Sequence, residues 1–181
     1  ASPELLGALS ADANWQTVYW DDARVVFVRR SAAAGLPALR VLPWSFNPAA
    51  YVQDRPWRQA MSDLAARLNL GEEFDCALAR DMAAQLLQMR GGFQQAAAHL
   101  ERACVLEPRE PKWAYNLGAC LLAAQQPHDA AQWLRRALEL NPPEPAKVWN
   151  ALAYCHILME RPSEAVDLAE TAIGRASCRE R

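Results

Sequence analysis

The 181-residue chain has little glycine, with seven residues, and no run of apolar residues long enough to cross a membrane as a helix. It has no CxxC pair: its five cysteines, Cys76, Cys104, Cys120, Cys155 and Cys178, stand at least 16 residues apart. Odd number and wide spacing argue against a disulfide framework. Cys104, Cys120 and Cys155 instead read as small buried hydrophobes on helices. There is no basic excess, with 19 Lys and Arg against 21 Asp and Glu, which argues against nucleic acid as a partner. Histidines are sparse. His99, His128 and His156 each stand alone, without Asp, Glu or Cys at ligand spacing on a shared helix face, so no metal site or cofactor is expected. Gly91-Gly92 lacks the GK[ST] that would make it a phosphate loop. The chain begins at Ala1, and it reads as a processed product or a piece of something longer.

Alanine is what the chain has in quantity, and alanine favours helix because it loses no side-chain entropy there. The alanines recur in register. Ala96 and Ala130 are 34 residues apart, and Ala130 and Ala165 are 35 apart. Leu100 and Leu134, Ala103 and Ala137, and Pro108 and Pro142 follow the same period. In the preceding helices Ala83-Ala84, Leu117-Gly118 and Leu152-Ala153 align. Gly91-Gly92, Gln126-Pro127 and Arg161-Pro162 break each unit into two helices, and Pro108 and Pro142 end the second helices. Small residues in matching places are what two closely crossing helices require. Ala96, Ala130, Gly118, Leu117, Leu134 and Leu100 are therefore the expected core.

The stretch Pro111 to Pro142, PKWAYNLGACLLAAQQPHDAAQWLRRALELNP, resembles the tetratricopeptide repeat. The resemblance covers about 100 residues. It implies a mainly α fold: an α-α superhelix of three helix-turn-helix repeats at about 77–108, 111–142 and 146–174. A helix near 55–70, with Ala60, Leu64 and Leu68 on one face, reads as a cap on the stack, or alternatively as a degenerate fourth repeat, since Ala60 precedes Ala96 by 36. Residues 1–53 form a separate small module in this reading, and 54–174 the helical domain. Residues 175–181 fall out of the repeat and are set apart as a tail of possible foreign origin.

Residues 15–30, WQTVYWDDARVVFVRR, read as a β-hairpin turning at Asp21-Asp22. Trp15, Thr17 and Tyr19 are expected on one face, with Val18 and Trp20 on the other. Ala38 to Leu42 is a candidate third strand, and Asn47-Pro48 a candidate start for a helical turn. The string resembles the segment after the last membrane span of bacterial lipid-linked glycosyltransferase-type membrane proteins. That resemblance implies an extracytoplasmic tail with no catalytic residue in this chain.

What the repeat implies about function is a protein-binding scaffold and not an enzyme, with no membrane insertion in this stretch. The first helix of each repeat lines the groove. This places Asp81, Gln85 and Gln88, then Lys112, Tyr115 and Asn116, then Lys147, Asn150 and Tyr154 on the expected binding surface. Lys112 and Lys147 share the second position of their repeats, so a positive strip and an acidic or polar extended ligand are expected. The carboxylate clamp of chaperone-binding members is not: only Asn116 and Lys147 match it, while Asp81, Gln85 and Ala151 replace the lysine, asparagine and arginine it needs. Two other readings stand beside the scaffold. One is a glycan- or acceptor-positioning accessory domain, suggested by the seven tryptophans; exposed coplanar rings near the hairpin would favour it. The other is a free-standing cytoplasmic adaptor, which suits the cysteines better than an oxidising compartment does.

Overall fold

The computed structural model describes residues 2–21, 23–40, 42–51, 54–68 and 75–177. Its elements run α1 (Pro3–Ala11), β1 (Trp15–Trp20), β2 (Val25–Arg29), α2 (Asp54–Leu68), α3 (Ala77–Met89), α4 (Phe93–Leu106), α5 (Pro111–Ala123), α6 (Pro127–Glu139), α7 (Pro145–Leu158) and α8 (Pro162–Ser177). The fold is mainly helical, and the six expected repeat helices are α3 to α8. The chain divides into two compact units, residues 1–90 and 91–181. Helix α3 belongs to the first unit and α4 to the second.

In the first unit the hairpin shares one core with α2 and α3. Trp20 is wholly buried there among Leu39, Ala60, Leu64, Met82 and Leu86. A two-stranded hairpin is marginal alone, and this packing supplies what its own ladder lacks. Among the described residues there is no third strand. Leu39 only donates its backbone N–H to Thr17 O at 2.9 Å. A helical turn does form at Pro48–Tyr51. The face assignment of β1 needs correction. Val18 is a bulge between Thr17, which pairs with Phe27, and Tyr19, which pairs with Val26. One extra residue rephases the alternation. Thr17 and Trp20 thereby share a face with Trp15, and Tyr19 moves to the other. Helix α1 was not foreseen. It starts at Ser2-Pro3, with the Ser2 hydroxyl accepting from Leu5 N and proline at the first turn.

Asp21 holds the turn. Its Oδ1 accepts from Ala23 N and Arg24 N at 2.8 and 2.6 Å, and its Oδ2 accepts from the Tyr19 hydroxyl at 2.8 Å. Burial by itself would raise the carboxyl pKa, but these donors and the Arg24 guanidinium outweigh it and hold it below 3.8. A depressed folded-state pKa contributes stability that is present above the unfolded value and is lost as pH falls through the folded one. An NMR titration of the Asp21 carboxyl carbon is therefore expected to give a midpoint below 3.8, with the turn loosening on the acid side of it. A midpoint at or above that value would contradict the turn's role.

In the second unit, four helices in succession, α5 to α8, begin at proline, where the missing N–H costs nothing. Helices α5, α6 and α7 end in left-handed residues, Gln125, Asn141 and Glu160, with φ of 60°, 55° and 60°. After α5 and α7 the closing bonds are those of a Schellman turn: Gln126 N to Leu121 O at 2.9 Å and Arg161 N to His156 O at 2.8 Å. The crossing of α5 and α6 is as close as the small residues imply. A methyl group on Gly118 would lie 2.7 Å from Leu134 Cγ and 3.2 Å from the Ala130 carbonyl oxygen. Ala96, Leu100, Leu117, Ala130 and Leu134 are all wholly buried, and Gly118 is buried with them. His156 is buried on α7 between α6 and α8. Arg135 Nη2 lies 3.3 Å from its Nε2, and Glu164 Oε2 lies 3.0 Å from its Nδ1 but out of line for a hydrogen bond.

Cys76, Cys104, Cys120 and Cys155 are free thiols, and Cys178 lies outside the described residues. Burial pushes Cys155 and Cys104 up to about 11, with Glu101 adding to the effect at Cys104, so both are protonated at neutral pH and act as packing groups. Cys76 also caps α3, its Sγ accepting from Ala79 N.

Candidate functional site

The first helices of the second and third repeats, α5 and α7, bound a cleft of about 360 Å³. Lys112, Tyr115 and Asn116 line it from α5, and Lys147 and Val148 from α7. Glu110 lies before α5, and Pro142, Pro143 and Glu144 form the loop before α7. The residues reach it because both loops are short and end in proline-started helices. Each lysine thus stands in the first turn beside the residue that caps its helix.

The charge is not the expected positive strip. Lys147 Nζ contacts Glu144 Oε2 at 2.6 Å, and that exposed pair raises the Lys147 pKa. Glu110 accepts from the Lys112 backbone N–H at 3.3 Å, and the Lys112 ammonium lies 4.3 Å from the centre of the Trp113 ring. Two lysines are therefore matched by two glutamates, one at each helix start. Tyr115 is half-buried beside Lys147, and Pro143 and Val148 add apolar wall. The cleft offers both charge signs, an amide, a phenol and an apolar surface.

The other sequence-derived residues are placed differently. Asn150 and Tyr154 do not line the cleft. They continue the exposed face of α7 beyond it, followed by exposed Ile157. Asp81, Gln85 and Gln88 lie on α3 in the other unit. Asp81 is only 2% exposed and accepts from Gln85 Nε2 at 2.9 Å, so it presents no open carboxylate. The reason is that α3 is buried on more than one side, from Ala77 through Leu86. Glu110, Glu144 and the Pro142-Pro143 pair were missed as lining residues. Their signal was present: Glu110-Pro111 and Glu144-Pro145 are the same dipeptide at the 34-residue period.

Among the described residues, the two hairpin tryptophans, Trp15 and Trp20, do not form a stacking platform. Trp20 is in the core, and Trp15 is half-buried with the Arg29 guanidinium 5.4 Å from its ring centre. No group of three or more His, Cys, Asp or Glu suited to a metal occurs among the described residues. Nor is any helix among them long and apolar enough to cross a membrane.

Paired helices with small residues at each crossing and a cleft between successive first helices define a helical-repeat scaffold. The tetratricopeptide-repeat family model matches residues 82–145. The globular C-terminal domain of P. aeruginosa LpoP is similar at 32% identity over 53% of this chain and 93% of that domain, with a TM-score of 0.51. The chain belongs to the tetratricopeptide-repeat family. A crystal structure of MamA is similar at a TM-score of 0.61 and 16% identity, over 74% of this chain and 76% of that one. MamA from Desulfovibrio magneticus is similar at 0.61 and 15%, over 75% and 78%. At these identities the MamA likeness shows the fold alone. No curated protein matches the chain in sequence. The protein is a scaffold of the protein-interaction kind, a fold that is typically non-catalytic.

Proposed function

We propose that the α5–α7 cleft holds an extended segment of a partner protein. The supporting observation is convergence. Lys112, Tyr115, Asn116 and Lys147, which the repeat alignment placed on neighbouring first helices, line one cleft. An extended segment suits it because a peptide in that conformation offers free backbone N–H and C=O groups to Asn116, Tyr115 and the lysines. The mixed charge selects for a segment carrying both signs with an apolar residue between them, rather than a purely acidic one. Asn150 and Tyr154 extend the same helix face and lengthen the surface available to such a segment.

Contacts at a wet groove are each worth about 0.5–1.5 kcal/mol, so the affinity is expected to be micromolar. Exposed charge pairs are screened, so it is also expected to weaken with salt. The test is a pull-down from the native organism, read by quantitative mass spectrometry, with wild type and with a Lys112→Glu, Lys147→Glu variant. That variant places four acids on the cleft, and recovery of the partner is expected to fall by about tenfold or more, at 1.4 kcal/mol per factor of ten. Equal recovery would remove the cleft from consideration.

A further inference from the structure

The second unit has another cleft that shares no residue with the first. It lies between the second helices α4 and α6, over Leu121 of α5, and measures about 430 Å³. Gln94, Ala97 and Glu101 line it at helical spacing from α4, and Asp129, Gln132 and Trp133 from α6. Alanine on the α4 side leaves room in front of the α6 side chains.

Three features of this cleft point to a ligand. Its lining carries two carboxylates, Glu101 and Asp129, and no lysine, arginine or histidine. Among the described residues neither carboxylate forms an ion pair or a hydrogen bond, and the side-chain amides of Gln94 and Gln132 form no hydrogen bond. Trp133 is half-buried, and among the described residues it makes no hydrogen bond, ring contact or cation contact. Trp113 differs on both counts, donating its Nε1–H to Glu107 at 2.6 Å and lying under the Lys112 ammonium.

We infer that the α4–α6 cleft is a second recognition site, and that it takes an arginine side chain of a partner protein. A guanidinium is planar. It stacks on an indole face and donates in a fork to carboxylates, so one group uses Trp133, Glu101 and Asp129 together. The amides of Gln94 and Gln132 remain for the backbone on either side of that arginine. A lysine meets the charge but not the stacking geometry. A neutral sugar meets the ring and the amides but leaves two carboxylates without a counter-charge.

The inference does not depend on the α5–α7 cleft, and its test keeps the two apart. Fluorescence anisotropy would follow a labelled peptide of alternating arginine and glycine, with an alternating lysine–glycine peptide as comparison. Saturable binding of the arginine peptide is expected, with the lysine peptide several-fold weaker. Glu101→Gln with Asp129→Asn is expected to weaken binding by about tenfold, and Trp133→Leu by about fivefold. Asn116→Ala, in the other cleft, is expected to leave it unchanged. The amide pair is nearly isosteric and exposed, so it keeps the test open should the Trp133 variant unfold. Absence of saturable binding would overturn the site. So would equal binding of the two peptides, or binding insensitive to the amide pair, either of which would mark bulk charge attraction. Binding of a neutral oligosaccharide that depends on Trp133, with no binding of the arginine peptide, would reassign the cleft to a glycan.

Discussion

Trp20→Ala is expected to destabilise the first unit by about 3–5 kcal/mol, the cost of truncating a fully buried aromatic side chain. Trp20 has no exposed surface, and it sits where three parts of the chain meet: the hairpin, the Leu39 segment and the α2–α3 pair. A hairpin of two strands cannot hold itself, so removing the indole empties the core and also loosens its attachment. Urea denaturation followed by helical circular dichroism measures the loss. A change under about 1 kcal/mol would mean that the cavity collapses without cost and that the hairpin is held elsewhere.

The second large effect is at Gly118. A leucine there is expected to cost about 3 kcal/mol or more, the upper end of overpacking losses. The first atom of the new side chain already falls 2.7 Å from Leu134 Cγ. Leu134 is wholly buried and cannot swing away, and the Ala130 carbonyl closes the other side at 3.2 Å. Gly118→Ala tests the same contact more gently. The helix gains about 1 kcal/mol from losing a glycine, so a net loss in that variant isolates the clash. If Gly118→Ala raises the melting temperature instead, α5 and α6 cross less closely than the structure places them.

The hairpin and the cleft show where sequence reasoning stopped short. Period-2 alternation placed Tyr19 with Trp15 and Thr17, but the Val18 bulge rephased the strand. Nothing in WQTVYW marks which residue will be the extra one. That choice depends on Trp20 reaching the core against α2 and α3. Asp81 was counted as open because helical spacing aims it toward the groove. Its burial follows from how completely α3 is surrounded, which one helix's pattern does not state. The lysine strip failed for another reason. Glu110 and Glu144 lie just before their helices, where helical periodicity carries no information, yet both line the cleft, Glu144 paired with Lys147 and Glu110 capping the turn that carries Lys112.

By itself the sequence determined the repeat: its period, its six helices, and the small and apolar positions on which they cross. It could do so because helix-pair packing is local. Alanine, glycine and proline at fixed spacings impose it almost regardless of what surrounds them. The tertiary structure alone decided that the hairpin and the first helices share one core, that Asp81 is internal, and that the α5–α7 cleft is charge-balanced. It alone also brought Trp133 and two unpaired carboxylates to one cleft. Those outcomes join residues tens of positions apart, and what joins them is the placement of whole helices and loops in space.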